Sequence, residues 1–196
     1  VEVALRRCKD CGKESFWLRC DCGGVTEQLF YCPRCKVKSR SEVCPNCRSE
    51  TKPYMRKKIN VREIYESALK NLNEWDSFDV VKGVIGMTSK WKIPERVEKG
   101  ILRAKHGVFV FKDGTIRYDM TDLPLTHFKP REIGVSVERL RELGYRWDRF
   151  GEPLKSPEQI AELKVQDIIV PEDCGDYLVK VACFIDELLQ SFYGLP

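Results

Sequence analysis

The sequence predicts an α+β protein that carries a small, cysteine-rich segment at its N-terminal end. Eight of the ten cysteines fall within residues 8–47, so they belong to one local structural unit. The remaining chain mixes short strand-like and helix-like segments without the steady strand–helix rhythm of a parallel sheet. With 196 residues, of which 42% are hydrophobic and 33% charged, the composition is that of a globular protein and excludes large-scale disorder.

The clustered cysteines form four pairs, three spelled C-x-x-C and one spelled C-x-C. The pairs are Cys8/Cys11, Cys20/Cys22, Cys32/Cys35 and Cys44/Cys47. A shift of 24 residues superimposes the first half on the second, except that Cys22 falls one residue short of Cys47. The segment is therefore an internal repeat of one small unit. We interpret the C-x-C pair as a tightened turn, for which Gly23 and Gly24 provide backbone freedom.

Zinc held by four thiolates is the metal site that these spacings favour. In each repeat two turns present two sulfurs apiece, and the eight residues between the turns suffice for a short hairpin. A disulfide framework is the first alternative, but no secretion signal is visible. An iron–sulfur cluster is the second, and the evenly matched cysteine sets differ from ferredoxin spacing. We predict two structural Zn²⁺ ions bound by Cys8, Cys11, Cys20, Cys22, Cys32, Cys35, Cys44 and Cys47.

The pairing of these ligands stays open in the sequence. Sequential sites would keep each repeat together, whereas a cross-brace would interleave the first pair with the third and the second with the fourth; the repeat favours the sequential arrangement. Either way zinc would supply about 10 kcal/mol per site, because so short and polar a segment cannot bury enough apolar area to fold alone. Cys174 and Cys183 stand apart in an apolar stretch and are predicted to be small buried side chains.

Helix signals recur through the rest of the chain. Predicted helices are residues 61–75 behind a capping box of Asn60 and Glu63, a short helix that Pro94 opens and Gly107 ends, residues 137–143 between Ser136 and Gly144, a helix that starts at Ser156-Pro157-Glu158, and residues 172–193. Apolar residues line one face of the first and last of these helices, which predicts that both pack on a core.

Strand signals are fewer. Predicted strands are residues 80–93, interrupted by Gly83 and Gly86, a hairpin of VFVF and TIRYD around Lys112-Asp113-Gly114, and the short stretch QDIIV at 166–170. The expected organisation is a pair of small zinc-ribbon or knuckle units in residues 1–52, a linker and helix in 53–79, and an α+β domain with a central basic segment in 80–196.

Positive charge is concentrated in two regions. The net charge is +7 for residues 1–58 and +5 for 80–132, but −5 for 133–196. Such a distribution suits a basic surface on an acidic support, although solvated surfaces also fluctuate in charge. In the central region lysines and arginines alternate with Gly and Trp91, as in a segment that follows a nucleic-acid backbone. The predicted contacts are Lys82, Lys90, Lys92, Arg96, Lys99, Arg103 and Lys105.

A second, smaller basic group projects from the second cysteine hairpin. It consists of Arg34, Lys36, Lys38 and Arg40. These side chains suit a finger that contacts phosphates, and a purely structural ribbon fits them equally well.

No motif for catalysis is visible. The sequence contains no nucleophile elbow, P-loop, HExxH or dinucleotide-binding glycine pattern. Asp119 and Asp122 suit a metal pair or a hairpin cap. Glu172, Asp173 and Asp176 also suit a metal, but a helix N-terminal turn is favoured for them. His106 and His127 lie outside any cluster and are predicted to be structural or surface residues.

Two long strings resemble the large subunit of the archaeal family D DNA polymerases. They are KGVIGMTSKWKIPERVEKGILRAKHGVFVFKDGTIRYDMTDLPLTHFKPREIGVSVERLRELGY (82–145) and ELKVQDIIVPEDCGDYLVKVACFIDELLQSFYG (162–194). The eight-cysteine segment before them agrees with that subunit. The resemblance covers essentially the whole chain, but the family's subunit is several times longer, so we expect an internal fragment or one piece of a split chain.

The resemblance implies a replicative polymerase with a core of double-psi β-barrels and a small proofreading subunit as partner. It implies primer–template DNA as substrate, two Mg²⁺ ions in the whole enzyme, and a sliding clamp bound through other regions. The family's metal-binding aspartates lie in an Asn-x-Asp-Gly-Asp-like motif, which residues 1–196 lack. We therefore predict no catalytic residue in this chain and expect the motif to follow shortly after its C-terminus.

Two hypotheses of function follow. In the first, the chain contributes zinc-stabilised scaffold and a DNA-gripping surface to the polymerase. In the second, it is an assembly module that binds other polymerase parts through its zinc units and acidic region. No stretch is apolar enough to span a membrane, so we expect a soluble, cytoplasmic protein without a membrane partner.

Overall fold

The computed structural model describes residues 1–119 and 124–196. They form two compact units, Val1–Arg117 with Leu178–Pro196, and Tyr118–Tyr177. Short strands and helices alternate in both units, so the α+β class is confirmed. The predicted boundaries at residues 52 and 79 stay a prediction. Within the described ranges every helix is too short or too polar to cross a membrane.

The N-terminal part of the first unit is built from seven very short antiparallel strands. They are β1 (Glu2–Ala4), β2 (Arg6–Cys8), β3 (Glu14–Ser15), β4 (Thr26–Gln28), β5 (Phe30–Tyr31), β6 (Lys38–Ser39) and β7 (Tyr54–Arg56). β1 pairs with β7, β2 lies between β3 and β4, and β5 pairs with β6. Besides the cysteines, few apolar side chains of this part are buried, chiefly Val3, Ala4, Leu5 and Leu29. So small an apolar core leaves much of the folding free energy to the cysteine clusters.

Helices form the rest of the first unit. α1 (Val61–Leu72) and α2 (Val97–His106) pack with the end of α4 (Glu172–Glu187), which continues as a π-helical turn, Leu188–Phe192. Their apolar stripes meet in a core of Ala68, Leu72, Ile101, Leu102, Val108 and Phe184. α1 is shorter than predicted because Asn73 adopts a left-handed conformation (φ 55°) and donates its N–H to the carbonyls of Leu69 and Lys70. The side chain of Asn60 donates to Glu63 and does not cap the helix.

The second unit has a separate core. β8 (His127–Phe128) pairs with β9 (Ala161–Glu162), and α3 (Val137–Glu142) packs with them around Phe128, Val137, Leu140, Tyr145, Leu154 and Ala161. The Ser136 cap is confirmed, since its side chain accepts a hydrogen bond from the Arg139 N–H at 3.2 Å. Gly144 follows this helix with a φ of 91°.

Most differences between the sequence prediction and the structure concern strands. Residues 80–93 form no strand; Ile85–Met87 is one 3₁₀ turn, and the Gly86 N–H donates to the Lys112 carbonyl, where an added Cβ would lie 2.4 Å from that oxygen. Around Lys112-Asp113-Gly114 only the turn is present, closed by a bond from the Phe111 N–H to the Thr115 carbonyl. The flanking residues among 108–119 belong to no strand, so the prediction of two hairpin strands is wrong.

The helix predicted at Ser156 and the strand QDIIV are also wrong. Gln159 accepts the N–H groups of Lys155 and Ser156, which holds this segment as a single turn. Within 166–170, Asp167 accepts the Tyr145 hydroxyl at 2.5 Å and Ile168 is exposed, so the segment is an irregular loop. The strand of this region is β9, a few residues earlier, where Ala161 is fully buried against β8.

Glu187 at the end of α4 joins two side chains of α2. Its carboxylate lies 2.6 Å from Lys105 Nζ and 2.5 Å from His106 Nε2. Burial would raise the pKa of Glu187, but hydrogen bonds from Lys105 and His106 outweigh it and hold the pKa below its usual range. Because the folded-state pKa is lowered, this stabilisation is present above the ordinary carboxyl pKa of about 4.3 and disappears as the pH falls through the lower folded value.

Substituting Glu187→Gln is therefore expected to lower the free energy of unfolding by about 1 kcal/mol at pH 7. The difference from the parent should shrink below pH ~4.3. This difference in the free energy of unfolding is measured by urea unfolding of both proteins in the same zinc-containing buffer, with circular dichroism as the signal. Glu66→Gln removes the exposed pair with Arg62 and should change stability by no more than about 0.5 kcal/mol. A parent–variant difference that grows as the pH falls would contradict the proposed ion pair.

Candidate metal centres and basic surface

The eight N-terminal cysteines gather in two groups of four. One group holds the Sγ atoms of Cys8, Cys11, Cys20 and Cys22, the other those of Cys32, Cys35, Cys44 and Cys47, with all four sulfurs of a group within 4.8 Å of one another. The grouping is sequential, one cluster for each repeat, and the cross-brace does not occur. The described residues hold no third cluster of three or more such ligands.

The spacing of the sulfurs tests which ion the clusters fit. Sγ–Sγ distances are 3.5 Å for Cys8–Cys22, 3.6 Å for Cys11–Cys20 and 3.6 Å for Cys32–Cys47. A tetrahedron with Zn–S bonds of about 2.3 Å has edges near 3.8 Å, whereas a disulfide bond is about 2.05 Å long. Four convergent thiol groups at these distances fit zinc, and each cluster could hold one ion.

All four cysteine turns share one backbone geometry. The residue after the second cysteine of each pair has a left-handed backbone, namely Gly12 (φ 74°), Gly23 (φ 86°), Lys36 (φ 58°) and Arg48 (φ 57°). Its N–H returns to the carbonyl of the pair's first cysteine, at 3.1, 2.9, 2.8 and 2.9 Å respectively. In the C-x-C pair the same bond spans three residues instead of four. The pair is therefore a complete turn that is one residue shorter.

Hydrogen-bond donors near the sulfurs favour thiolates. The backbone N–H of Cys11 is the main cause that lowers the pKa of Cys8 to about 7. The hydroxyl and N–H of Ser49 lower the pKa of Cys47 to about 6. Sharing a hydrogen bond with Cys47 raises the pKa of Cys35 to about 12. Each cluster thus has one sulfur prepared to bind a cation near neutral pH, and the binding of an ion would release the remaining protons.

Gly24 is the glycine that the first cluster requires. A Cβ at this position would lie 2.8 Å from Cys8 Sγ and 2.2 Å from Asp10 Oδ2. We expect Gly24→Ala to lower zinc affinity at the first cluster about tenfold to a hundredfold, since overpacking costs about 1–3 kcal/mol. A two-step titration against a chelating dye separates the two clusters, and the second should be unaffected. Gly83→Ala, where an added Cβ meets no atom within 4 Å, is the matched control. Equal loss at both clusters would contradict this local role.

Three of the seven predicted DNA contacts are paired with carboxylates. Arg103 is buried and makes a two-bond ion pair with Glu95, at 2.8 and 2.6 Å. Arg96 binds Glu98 at 2.5 Å, and its guanidinium lies 4.8 Å from the Trp17 ring and 5.9 Å from that of Phe192. Lys105 binds Glu74 and Glu187. These side chains hold the helical core and the first cysteine unit together.

The other four predicted contacts have no carboxylate partner within the described ranges. They are Lys82, Lys90, Lys92 and Lys99. Lys82, Lys90 and Lys92 are exposed, and the half-buried Lys99 donates to the Tyr193 hydroxyl at 2.7 Å. The loop before α2 and the start of α2 therefore present uncompensated ammonium groups.

The basic residues of the second hairpin divide in the same way. Lys38 binds Glu14 and Arg40 binds Glu27 at 2.5 Å, so both tie the second cysteine unit to the first. Arg34 and Lys36 are exposed and form no ion pair with the described residues.

The remaining candidates have structural surroundings. His106 binds Glu187, and His127 Nδ1 lies 3.0 Å from the Thr126 hydroxyl. Acids 172 and 173 occupy the first turn of α4, as predicted. Cys174 is buried, but Cys183 is exposed, so its predicted burial is wrong; it lies on the outer face of α4. Asp122 of the predicted Asp119/Asp122 pair lies outside the described residues.

The sequence prediction missed a groove beside β7. Tyr31, Pro33, Lys52, Tyr54 and Arg56 line it together with Glu2 and Met55. The alternation Lys52-x-Tyr54-x-Arg56 is the signal that could have revealed it, since alternate residues of a strand share one face.

The fold and the two clusters define a class: α+β proteins with tandem four-cysteine units, each able to hold zinc. A family model described as "DNA polymerase II large subunit DP2, catalytic domain" matches residues 74–196, and one described as "DNA polymerase II large subunit DP2, central domain" matches residues 1–41. The chain belongs to the family of DNA polymerase II large subunits.

Relatives named "DNA polymerase II large subunit" align along the whole chain. The protein of Archaeoglobus fulgidus is 63% identical over 196 residues and that of Methanocella arvoryzae 56%, each covering 100% of this chain and 17% of the relative. The protein of Pyrococcus horikoshii is 52% identical over 204 residues, or 14% of its length. The chain thus spans about a sixth of the curated relatives it matches. The resemblance to the family D large subunit is confirmed.

Proposed function

We propose that the chain is part of a DNA-directed DNA polymerase, in which it supplies a zinc-stabilised scaffold and a basic surface that grips primer–template DNA. Family membership supports the polymerase assignment. The ammonium groups of Lys82, Lys90, Lys92 and Lys99, which pair with no described carboxylate, support the DNA-gripping role. Cations without a carboxylate partner release counterions when they bind phosphates, which is the main source of sequence-independent affinity.

The two zinc ions have a structural role in this proposal. Four thiolates around each ion leave no open position for a substrate, as in closed structural sites. The Mg²⁺ that the family's chemistry requires is assigned to no residue of this chain, and the catalytic aspartates belong to other parts of the polymerase. The small proofreading subunit is the proposed protein partner, with a sliding clamp bound through other regions.

A triple substitution, Lys90→Gln/Lys92→Gln/Lys99→Gln, tests the DNA surface. Fluorescence anisotropy of a labelled primer–template duplex at several salt concentrations gives the affinity and its dependence on salt. We expect weaker binding and a log–log salt slope that is flatter by up to about 3, or roughly 0.9 for each lost phosphate contact. The charge-matched control is Lys58→Gln/Lys70→Gln/Lys180→Gln, three exposed lysines outside this surface. Equal slopes for the two triple variants would reject the mapping.

An assembly module is the second candidate function. The net charge of −5 in residues 133–196 favours it, because an acidic surface suits a basic protein partner better than DNA. A parent protein without affinity for the duplex, but with measurable affinity for the small polymerase subunit, would favour this function over DNA gripping.

A further inference from the structure

The groove beside β7 combines aromatic rings with cations. Its volume is about 400 Å³, and Tyr31, Tyr54 and Pro33 form its apolar part. Lys52 and Arg56 line it as well. Lys92, in the loop before α2, places its Nζ over the Tyr54 ring. Volumes of this size accommodate small organic groups.

Backbone hydrogen bonds hold the segments that carry Tyr31 and Tyr54 next to each other. The Tyr31 N–H donates to the Lys52 carbonyl at 2.7 Å, and the Lys52 N–H returns to the Tyr31 carbonyl at 2.8 Å. Tyr54 lies two residues after Lys52, beyond the bend at Pro53, and pairs with Ala4 of β1. The rings therefore stand on paired backbone, which orients them without a ligand.

Lys92 is held in a costly conformation at the edge of this groove. Its φ of 61° is left-handed, a conformation that is unfavourable for a residue with a side chain. The Ala4 N–H binds its carbonyl at 2.9 Å, and its own N–H binds the Ser89 carbonyl at 2.8 Å. This arrangement places Lys92 Nζ 5.8 Å from the centre of the Tyr54 ring. Strained residues concentrate at functional sites, and the strained backbone of Lys92 positions its ammonium group beside the groove.

Partners for the groove's polar groups are few within the described residues. Neither tyrosine hydroxyl has a hydrogen-bond partner there. Lys52 Nζ lies 5.9 Å from the Tyr54 ring and makes no ion pair with a described residue. Glu2 is the one acid of the lining, and it lies 3.8 Å from Arg56. The groove is therefore net positive, and its two lysines lie near the outer limit of cation–π contact, so that a phosphate would move them at little cost.

We propose that this groove binds single-stranded nucleic acid, with unpaired bases stacked on Tyr31 and Tyr54 and the flanking phosphates bound by Lys52 and Lys92. Aromatic faces among cations are the platform that single strands use, since every unpaired base has an exposed face. A duplex conceals those faces, so duplex DNA would gain nothing from the tyrosines. This inference rests on the proposed function, to which it adds a site for the unpaired part of the template strand.

The test compares single-stranded and duplex DNA on one set of variants of the zinc-loaded protein. Tyr31→Leu/Tyr54→Leu keeps the charge and much of the apolar volume but removes both rings. We expect its affinity for a labelled thymidine oligonucleotide to fall about fivefold to a hundredfold, from the usual loss per stacked base, while affinity for a blunt duplex stays unchanged. Tyr31→Phe/Tyr54→Phe, which keeps the rings, should bind like the parent. Trp75→Leu, which removes a 95% exposed ring elsewhere, is the control.

Each result decides a separate point. Unchanged oligonucleotide affinity in the leucine variant, with two zinc ions still bound, overturns the groove proposal. An equal loss for oligonucleotide and duplex overturns it too, because it points to a duplex contact or to misfolding. Normal DNA binding together with impaired binding of the small subunit would identify a protein interface instead. Failure of the parent itself to bind a duplex would count against the proposed function, independently of the tyrosine variants.

Discussion

Replacement of Cys44 by serine is expected to remove one of two zinc ions and to unfold the second cysteine unit. Cys44, like Cys32, is 1% exposed, and its N–H and carbonyl bond to Ser49 and Arg48, so its sulfur is one of the two buried sulfurs of this cluster. Structural zinc contributes on the order of 10 kcal/mol in small units, far more than the short β5–β6 pair supplies. Metal analysis should fall from two ions per chain to one, and hydrogen exchange should lose protection at β5 and β6.

Two further substitutions make this result specific. Cys183→Ser changes an exposed cysteine outside both clusters and should leave two ions bound. Cys22→Ser should remove the first ion and spare the second, because the C-x-C pair completes its own four-sulfur cluster. Retention of both ions in Cys22→Ser would mean that three cysteines suffice at the first cluster. Retention of both ions in Cys44→Ser would contradict the second cluster.

Arg103→Met is expected to destabilise the helical core by about 3–5 kcal/mol, the usual cost of breaking a buried ion pair by removing one partner. The side chains of Arg103 and Glu95 are 7% and 5% exposed. Arg103 also donates to the Lys82 carbonyl at 3.3 Å, and Glu95 accepts the Val84 N–H at 3.1 Å, so the pair fixes the loop before α2. Removal of Arg103 leaves a carboxylate that is buried without its cation.

Urea unfolding measures this loss of stability, and two further variants show whether it comes from the buried ion pair. Arg62→Met breaks an ion pair whose arginine is 83% exposed and should cost about 0.5 kcal/mol or less. Arg103→Met/Glu95→Gln should recover part of the stability, since no buried charge is left without a partner. If Arg103→Met kept the parent's stability but flattened the salt dependence of DNA binding, Arg103 would belong to the DNA surface.

Local patterns in the sequence predicted most of what is correct. The 24-residue cysteine repeat implied both clusters, because ligands within one short unit need no distant element to bring them together. The apolar stripe of α1 and the Ser136 cap were also predictable, because each depends on residues that are close together in the chain. The predicted strand at 80–93 and the hairpin strands were wrong, since strands require partners that apolar alternation cannot supply.

Burial was the other property that the sequence could not give. Arg103 and Lys99 lie four residues apart in one basic run, yet the first is buried against Glu95 and the second reaches the surface. In the sequence alone, Arg103 and Lys99 are two similar positive charges, and nothing distinguishes the buried one. The tyrosine groove was missed for a related reason: Tyr31 and Tyr54 meet only through pairing between segments that are distant in the chain.

The position of Arg96 between Trp17 and Phe192 has a thermodynamic consequence. Trp17 lies between the two turns of the first cluster, and Arg96 immediately precedes the helix that carries Lys99. In the proposed function, a group that contacts both the first cysteine unit and the helix that carries Lys99 would couple zinc binding to DNA binding. Since such linkage is reciprocal, DNA held by Lys99 should tighten zinc at the first cluster by the same factor by which that zinc tightens DNA.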